Sequence, residues 1–406
     1  MKKILISALS VAFALSGVTA VHAETTSVTA TGTQRVSVVG EEWGAGVDKT
    51  ILTLDKEISG DSVSAEDFVV VENKDGTETN RTIVDAYVSD ANGNEKTSWW
   101  GTAKSNYVTI ELGISPSEGN PITWSMKTWR NTWPESYKLE VTLAEGAELT
   151  AGDETVNTIS IEAEVDVSNE ETQVYDQLDG VTIDSYTYTT ESGTEVVVPY
   201  GFYEPANDGH KNGIIIWNHG IGEGGTDPKI AMYGNEVTAL FGDDFQDTMD
   251  GCYVLAAQVP NNGSRNADRA TAIVELVKKL AAENSDIDLN RVYVAGCSAG
   301  GGMTLTLMNN YADFFAAAVP ICPAGSVNTA AEGLLDLPMW FIHAENDTTV
   351  NYCRTETTLA TLEEAGAAEV HTSIFANVLG EYAYEDGTLA ELAMKWFELD
   401  ITVKPE

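Results

Sequence analysis

Residues 291–313 carry the pattern that most restricts what this chain can fold into. The apolar run "RVYVAG" has the character of a strand, and "GGMTLTLMNNYAD" has that of a helix. Between them the chain reads Gly296-Cys297-Ser298-Ala299-Gly300, a serine between two glycines. Glycine allows a tight, strained turn that a side chain would obstruct. A strand that passes directly into a helix predicts a sheet covered by helices.

The rest of the second half repeats this alternation. "IDSYTYTT" and "EVVVPYGFYEP" predict a hairpin, and "GIIIWNHG", "CYVLAAQVP", "FAAAVPIC", "LPMWFIHAEND" and "VHTSIFAN" predict further strands. Helical spacing occurs in "ATAIVELVKKLAAEN", "RTETTLATLEEAG" and "LAELAMKWFELD". The pattern predicts a mostly parallel sheet with helices on both faces. Within such a sheet, the turn at Ser298 is the nucleophile elbow of an α/β-hydrolase, which we expect over residues 181–406.

The first half shows a different period. Residues 24–165 contain about seven alternating or apolar runs, separated by turn signals such as "DANGN" and "KDGTE", and no helical period of useful length. Short strands at regular spacing predict an all-β sandwich of immunoglobulin type. Residues 166–180 are acidic and poor in apolar side chains, which is typical of a linker. The sequence therefore predicts two domains joined by that linker.

Tryptophan is concentrated in the first domain, and two interpretations stay open. The side chains could pack in the core and between the domains, or they could form an aromatic platform for sugar rings. "TSWWGTAKSN" and "SMKTWRNTWPES" resemble loops, which keeps the platform open. The six tryptophans are Trp43, Trp99, Trp100, Trp124, Trp129 and Trp133.

Targeting and charge restrict location and partners. Residues 1–23 combine Lys2 and Lys3, a short apolar stretch and a small-residue cleavage site, as a secretory signal does. We expect a secreted or periplasmic protein without membrane insertion. The formal net charge is -41. Such an acidic chain repels phosphate backbones and anionic lipids, so nucleic acid is not an expected partner.

The serine requires an acid and an oxyanion hole. Asp347 in "FIHAENDTTV" follows a predicted strand and comes after Ser298 in the chain, as the hydrolase order requires, and Glu345 is its competitor. The oxyanion hole needs two backbone N–H groups aimed at the developing alkoxide. Ala299 should supply one, and Ile221 in the loop "NHGIGEGGTD" the other, with Gly222 as the alternative to Ile221. We expect His219 to brace that loop.

The general base is the least determined part. The five histidines are His22, His210, His219, His343 and His371. Only His371 follows Asp347, although it precedes the body of its strand instead of following it. His371 is therefore the predicted base, and His343 is interpreted as a packed residue. Glu381 or Asp386 is an alternative, but an unperturbed carboxylate is a weak base near neutral pH.

The four cysteines do not have the spacing of a metal site, and we expect no metal or cofactor. Buried free thiols are the favoured interpretation, although export would permit disulfides. The pair to test is Cys322 with Cys353, which should lie near the same edge of the sheet. The other two are Cys252 and Cys297.

Taken together, these motifs resemble a known family. "VVGEEWGAGVDKTILTLD", "WNHGIGEGGTD", "DIDLNRVYVAGCSAGGGMT" and "MWFIHAENDTTV" resemble secreted bacterial esterases of the Thermotoga esterase A type, which join an immunoglobulin-like domain to an α/β-hydrolase. That group is similar to the polyhydroxybutyrate depolymerase, feruloyl esterase and prolyl-oligopeptidase-like branch. The resemblance implies Ser298 as nucleophile, Asp347 as acid, and Ile221 with Ala299 as oxyanion donors. The family usually carries a Gly-His-Trp type segment before the last helix, where this chain reads "GEYAYEDGTLAELAMKW".

Two functions follow as expectations. The first is a secreted serine esterase that acts through an acyl-enzyme at Ser298 on short-chain, aryl or feruloyl-type esters, free or linked to polysaccharide. The second is a non-catalytic relative that binds or scaffolds, because the usual histidine is not found near the C-terminus. A peptidase is a weaker third.

Overall fold

The computed structural model describes residues 26–168, 173–174, 177–178, 180–206, 209–261 and 265–376. The predicted signal sequence and the predicted helix "LAELAMKWFELD" lie outside these residues, as do Glu381 and Asp386. Within the described residues, no helix is both long enough and apolar enough to span a bilayer.

The first domain is built from strands alone, apart from two short 3-10 turns. Its main sheet has the order β10-β11-β1-β2-β6-β5, with β12 beside β1, and a second sheet has the order β4-β3-β9. β7 and β8 form a separate two-stranded hairpin. The strands are β1 (Thr26–Glu41), β2 (Gly44–Ser59), β3 (Phe68–Lys74), β4 (Thr77–Asn80), β5 (Ile83–Ser89), β6 (Lys104–Leu112), β7 (Thr123–Ser125), β8 (Arg130–Thr132), β9 (Tyr137–Leu143), β10 (Leu149–Ala151), β11 (Glu154–Ile161) and β12 (Gln173–Val174).

Alternation explains how this domain closes. Along β3 the apolar side chains of Phe68 and Val70 are buried while Val69 is exposed, as expected when successive residues face opposite sides of a sheet. The buried faces of the two sheets share one apolar core. The predicted immunoglobulin-like sandwich is confirmed. The predicted linker contributes to it, since β12 pairs with β1 and Val167 is buried in the same core.

The second domain alternates strands and helices. In chain order its elements are β13 (Thr182–Thr189), β14 (Glu195–Tyr203), β15 (Asn212–Asn218), α1 (Pro228–Tyr233), α2 (Asp243–Met249), β16 (Cys252–Ala257), α3 (Ala267–Glu283), β17 (Ile287–Cys297), α4 (Ala299–Tyr311), β18 (Ala317–Ile321), β19 (Met339–Ala344), α5 (Cys353–Ala365) and β20 (Val370–Phe375).

One eight-stranded sheet organises this domain, in the order β13-β14-β16-β15-β17-β18-β19-β20. β13 and β14 pair antiparallel, β14 pairs antiparallel with β16, and the remaining pairs are parallel. α3 and α4 bury apolar faces against the sheet, and the Asn266 side chain caps α3 by accepting from the Arg269 N–H. The predicted α/β-hydrolase fold is confirmed. Because β15, β17 and β19 are parallel, the loops that follow them meet at one edge of the sheet.

The two domains are in direct contact. Trp133, just after β8, donates a hydrogen bond from Nε1 to Asp227 Oδ2 at 2.6 Å and packs edge-on against Tyr233 of α1. Met232 and Tyr233 are buried in the core of the first domain. For Trp133, therefore, the inter-domain packing interpretation holds. Trp99 and Trp100 differ, since each is more than nine-tenths exposed.

Candidate active site

Ser298 lies between the end of β17 and the start of α4. Its backbone has φ 58° and ψ −115°, a conformation that residues with a side chain rarely adopt. Three backbone hydrogen bonds hold it there. Its N–H donates to Ile321 O at 2.9 Å, and its carbonyl accepts from the Gly302 N–H at 3.0 Å and the Ala324 N–H at 3.1 Å. Strain of this kind persists where surrounding structure enforces it, and it is concentrated at functional sites.

The glycines around Ser298 are required by close backbone packing. A Cβ atom on Gly296 would lie 2.5 Å from the carbonyl oxygen of Asn218, and one on Gly300 would overlap that same oxygen. Gly301 is similarly restricted, because a Cβ there would lie 2.5 Å from Ile321 O. The end of β15 and the start of α4 can approach this closely only without side chains.

The predicted oxyanion loop leaves β15 beside this turn. A Cβ on Gly220 would lie 3.9 Å from the carbonyl oxygen of Cys297, so the loop passes next to the residue before Ser298. Ile221 follows Gly220 directly, and Ala299 opens α4. The two predicted N–H donors therefore belong to segments in contact with each other.

His219 braces this loop. Its Nδ1 lies 2.6 Å from Gly220 O and therefore donates, while its Nε2 accepts from the Val259 N–H at 2.8 Å. Both ring nitrogens are thus occupied. Burial lowers the pKa of His219 to about 3, with the nearby Arg265 charge as a smaller cause, so the ring stays neutral. Arg265 also donates to Gly220 O, at 2.9 Å.

Glu223 is a further anchor of the loop that sequence reasoning missed. Its side chain accepts from Asn131 Nδ2 at 3.3 Å, and its carbonyl accepts from Gln258 Nε2 at 2.8 Å. Burial raises the pKa of the carboxyl group. Asn131 belongs to β8 of the first domain, and its N–H donates to Gly222 O at 2.7 Å. The sequence feature that could have indicated this role of Glu223 is the presence of a charged residue inside a glycine-rich loop.

Asp347 lies in the turn after β19. Its Oδ1 accepts from the N–H groups of Thr349 and Val350 at 2.7 and 2.8 Å, and its side chain is 15% exposed. Glu345, the competitor, is exposed, and its N–H donates to Phe375 O at 2.8 Å. The partly buried, pre-oriented carboxylate of Asp347 is the one suited to the acid role.

His343, on β19, holds the acid turn from beneath. Its Nε2 lies 2.8 Å from Val350 O and 3.4 Å from Asp347 Oδ2. Its Nδ1 lies 2.7 Å from Thr355 Oγ1, so a ring that donates from Nε2 accepts from this hydroxyl. The imidazole is buried and has no free nitrogen to offer Ser298. It is a packed residue, as the sequence predicts.

His371 lies at the other end of its strand from this site. It pairs with Trp340 near the start of β19, whereas the acid turn leaves β19 beside Phe375. Four residues of extended chain span about 13 Å. The ring is exposed, with Nε2 3.1 Å from Glu369 Oε1. The structure thus brings Ser298, Ile221 and Ala299 to one edge with Asp347 and does not bring His371 there; its role as base stays a prediction.

His210 does not lie where a base for Ser298 is needed. It precedes β15 at the opposite edge, with Nε2 3.8 Å from Asp250 Oδ1. Among the described histidines, therefore, two lie at the edge away from Ser298, and two lie near it with both nitrogens occupied.

The thiols are arranged differently from the predicted pair. Cys322 lies beside Cys297, with 3.6 Å between the sulfur atoms, whereas Cys353 is exposed at the start of α5. All four cysteines are free, and Cys252 is the one that is fully buried. The pKa of Cys297 is raised, first by its hydrogen bond with Cys322 and by burial, and further by the charges of nearby groups that include Glu223 and Asp347. Both carboxylates thus act on the residue that precedes Ser298.

Comparisons with known proteins agree with this architecture. Residues 35–158 match the family of the esterase Ig-like N-terminal domain, and residues 262–333 match the prolyl oligopeptidase family. The chain therefore joins an immunoglobulin-like domain of the esterase kind to an α/β-hydrolase domain, and the predicted resemblance is confirmed.

A solved structure of a thermostable esterase has the same fold. It superposes with a TM-score of 0.73 at 24% identity, over 90% of this chain and 98% of that one. Among curated proteins, a bifunctional acetylxylan esterase/xylanase of Neocallimastix patriciarum is 31% identical over 94 residues. That stretch is 23% of this chain and only 13% of the fungal protein.

Proposed function

We propose that the chain is a serine carboxylic-ester hydrolase that forms an acyl-enzyme at Ser298. The observation that carries the proposal is the backbone of Ser298, held at φ 58° between a buried strand and a helix. Such a turn presents the hydroxyl at the end of the strand, where the Ile221 and Ala299 N–H groups can both donate to the oxyanion that develops on the substrate carbonyl. The esterase character of the matched first domain is consistent with this proposal.

The proposed reaction has two steps. Ser298 Oγ attacks the ester carbonyl carbon, and the tetrahedral oxyanion is stabilised by the two N–H donors. The carbon–oxygen bond to the alcohol then breaks, the alcohol leaves with the proton, and the acyl group stays on Ser298. Water hydrolyses this acyl-enzyme, which releases the acid and restores the hydroxyl. A base must carry this proton, and we propose that Asp347 orients it. None of the described histidines lies beside both Ser298 and Asp347 with an available ring nitrogen.

The proposed substrates are short-chain or ring-bearing esters, free or linked to polysaccharide. The short similarity to an acetylxylan esterase/xylanase supports the polysaccharide-linked class. We also infer export, because residues 1–23 have the pattern of a cleavable signal. N-terminal sequencing of protein recovered outside the cytoplasm should begin after Ala23.

A second candidate, a non-catalytic binding protein, is favoured by one specific observation. Within the described residues, no imidazole has a free nitrogen directed at Ser298. Without a base, an enzyme of this type retains only the catalysis that its oxyanion hole and binding provide. An elbow and an acid turn would then persist as parts of the fold.

Hydrolysis of p-nitrophenyl acetate and butyrate separates the two candidates. We expect the wild-type protein to exceed Ser298→Ala by at least about 10³-fold in kcat/KM, the scale on which a lost nucleophile acts. A fluorophosphonate probe should label wild type and not Ser298→Ala, with fluoride displaced from phosphorus by Oγ. His371→Ala then tests the predicted base. Equal rates for wild type and Ser298→Ala would contradict the enzyme proposal and favour the binding protein.

A further inference from the structure

Two exposed tryptophans of the first domain lie beside the hydrolase loop. We call them the hairpin tryptophans: Trp124 on β7 and Trp129 in the turn before β8. They are 41% and 52% exposed, and their rings meet edge to face with centroids 6.3 Å apart. Large apolar rings left facing water beside a candidate site are typical of a binding surface. Like Trp99 and Trp100, they are tryptophans of the aromatic-platform interpretation whose rings are exposed to water.

The hairpin is attached to the loop that carries Ile221. A Cβ on Gly222 would lie 3.5 Å from Cζ3 of Trp124 and 2.9 Å from Nδ2 of Asn131. The Asn131 N–H donates to Gly222 O at 2.7 Å, and Asn131 Nδ2 donates to Glu223. The ring of Trp124 therefore lies against the residue next to the predicted oxyanion donor.

Trp129 occupies a backbone position that suits glycine. Its φ is 55°, in the left-handed region that bulky residues avoid. Its N–H closes the turn by donating to Ser125 O at 2.7 Å. Glycine would meet the needs of this turn, so the ring is held here against local preference. Strained residues of this kind are concentrated at ligand sites.

We propose that the hairpin tryptophans form a subsite of the active centre that binds the ring of a ring-bearing ester. The subsite rests on the proposed esterase function and makes the first domain a determinant of its specificity. Indole packs against the planar face of an aryl group of the acid and also against the C–H face of the pyranose of an acetylated sugar. The two sources share this chemistry, and the substrates below distinguish them.

The test uses substrates matched except for the ring. Methyl cinnamate is compared with methyl crotonate, and methyl tri-O-acetyl-β-xylopyranoside with ethylene glycol diacetate. The variants are Trp124→Ala and Trp129→Gly, the second of which suits the φ of its turn and should fold. We expect kcat/KM to fall about three- to tenfold for one ring-bearing ester and to stay within about twofold for its ring-free partner. The pair that responds identifies the ring.

Trp99→Ala and Trp100→Ala are the matched controls. Both rings are exposed in the same domain, in a loop whose hydrogen bonds include Ser98 with Trp100 O and Thr102 with Asp61. These variants should leave the ratio of kcat/KM for the ring-bearing ester to kcat/KM for its ring-free partner unchanged in both substrate pairs. If the ratios are also unchanged in folded Trp124→Ala and Trp129→Gly, the subsite proposal is wrong.

A binding measurement separates this failure from failure of the esterase proposal. Ser298→Ala protein is titrated with cinnamamide and with methyl β-xylopyranoside, followed by tryptophan fluorescence and saturation-transfer NMR. Saturable binding of one of the two ligands supports the subsite, even if no ester is hydrolysed, when that binding is lost on adding Trp124→Ala to the Ser298→Ala protein. Active enzyme that binds neither ring through these tryptophans supports the esterase and overturns the subsite.

Discussion

Two ends of the candidate site are held by different means. We call them the nucleophile end, where Ser298 is the proposed nucleophile beside Gly296 and Gly300, and the acid end, where Asp347 is the proposed acid beside His343 and Thr355. At the nucleophile end, backbone packs on backbone, and a Cβ on Gly296 would lie 2.5 Å from Asn218 O. At the acid end, side-chain hydrogen bonds hold the structure. His343 is hydrogen-bonded to Thr355 Oγ1 and Val350 O, and Asp347 accepts from two backbone N–H groups.

This difference decides how each end tolerates change. A backbone contact without free space cannot relax around an added methyl group, because interiors are close-packed. A side-chain network loses hydrogen bonds one at a time, and its cost depends on the groups left unsatisfied. The nucleophile end should therefore be the more brittle of the two.

The largest effect is expected from Gly300→Ala. The added Cβ would overlap the Asn218 carbonyl oxygen, so β15 and α4 must separate. We expect a loss on the order of 4 kcal/mol in the free energy of unfolding, measured by urea denaturation. Gly325→Ala is the control, because a Cβ there would lie 3.3 Å from the Leu305 side-chain methyl and no closer than 3.6 Å to the Gly302 backbone. Equal stability of the two variants would remove the claimed brittleness.

His343→Ala tests the acid end. The variant removes a buried ring and leaves the Thr355 hydroxyl and the Val350 carbonyl without their partner. We expect a loss of about 2–3 kcal/mol, with lower esterase activity because the Asp347 turn loosens. His210→Ala, at an exposed ring, should change stability by less than about 0.5 kcal/mol. If His343→Ala loses more unfolding free energy than Gly300→Ala, the acid end is the more brittle of the two.

The difference also explains what the sequence could reveal. Gly-x-Ser-x-Gly is visible because the backbone contact excludes every other residue at those positions, and the fold followed from strand and helix periods. The bonds of His343 and the attachment of Asn131 to Glu223 join distant residues of ordinary type, so no local pattern marks them. The same holds for Cys322, whose neighbour is Cys297 and not Cys353. The sequence shows that no histidine follows β20, but not where the remaining imidazoles point.

His219 in the oxyanion loop should make the stability of the folded protein depend on pH. The folded pKa of His219 is about 3, below the ordinary value of 6.5. Between these values the unfolded chain binds a proton that the folded chain does not, so stability falls as pH falls. His219 should cost about 2 kcal/mol between pH 7 and pH 5. In His219→Gln, whose amide can still donate and accept, that part of the pH dependence should vanish; identical slopes for both proteins would contradict it.

The smallest effect concerns Ser298 itself. Ser298 is held at φ 58° and ψ −115°, which favours glycine over any residue with a Cβ. Ser298→Gly should therefore be more stable than Ser298→Ala by about 1 kcal/mol, although both lack the proposed nucleophile. Thermal and urea unfolding of the two variants, side by side, measure this difference. If alanine proves the more stable, the turn stores no strain, and the brittleness of the nucleophile end rests on the glycine contacts alone.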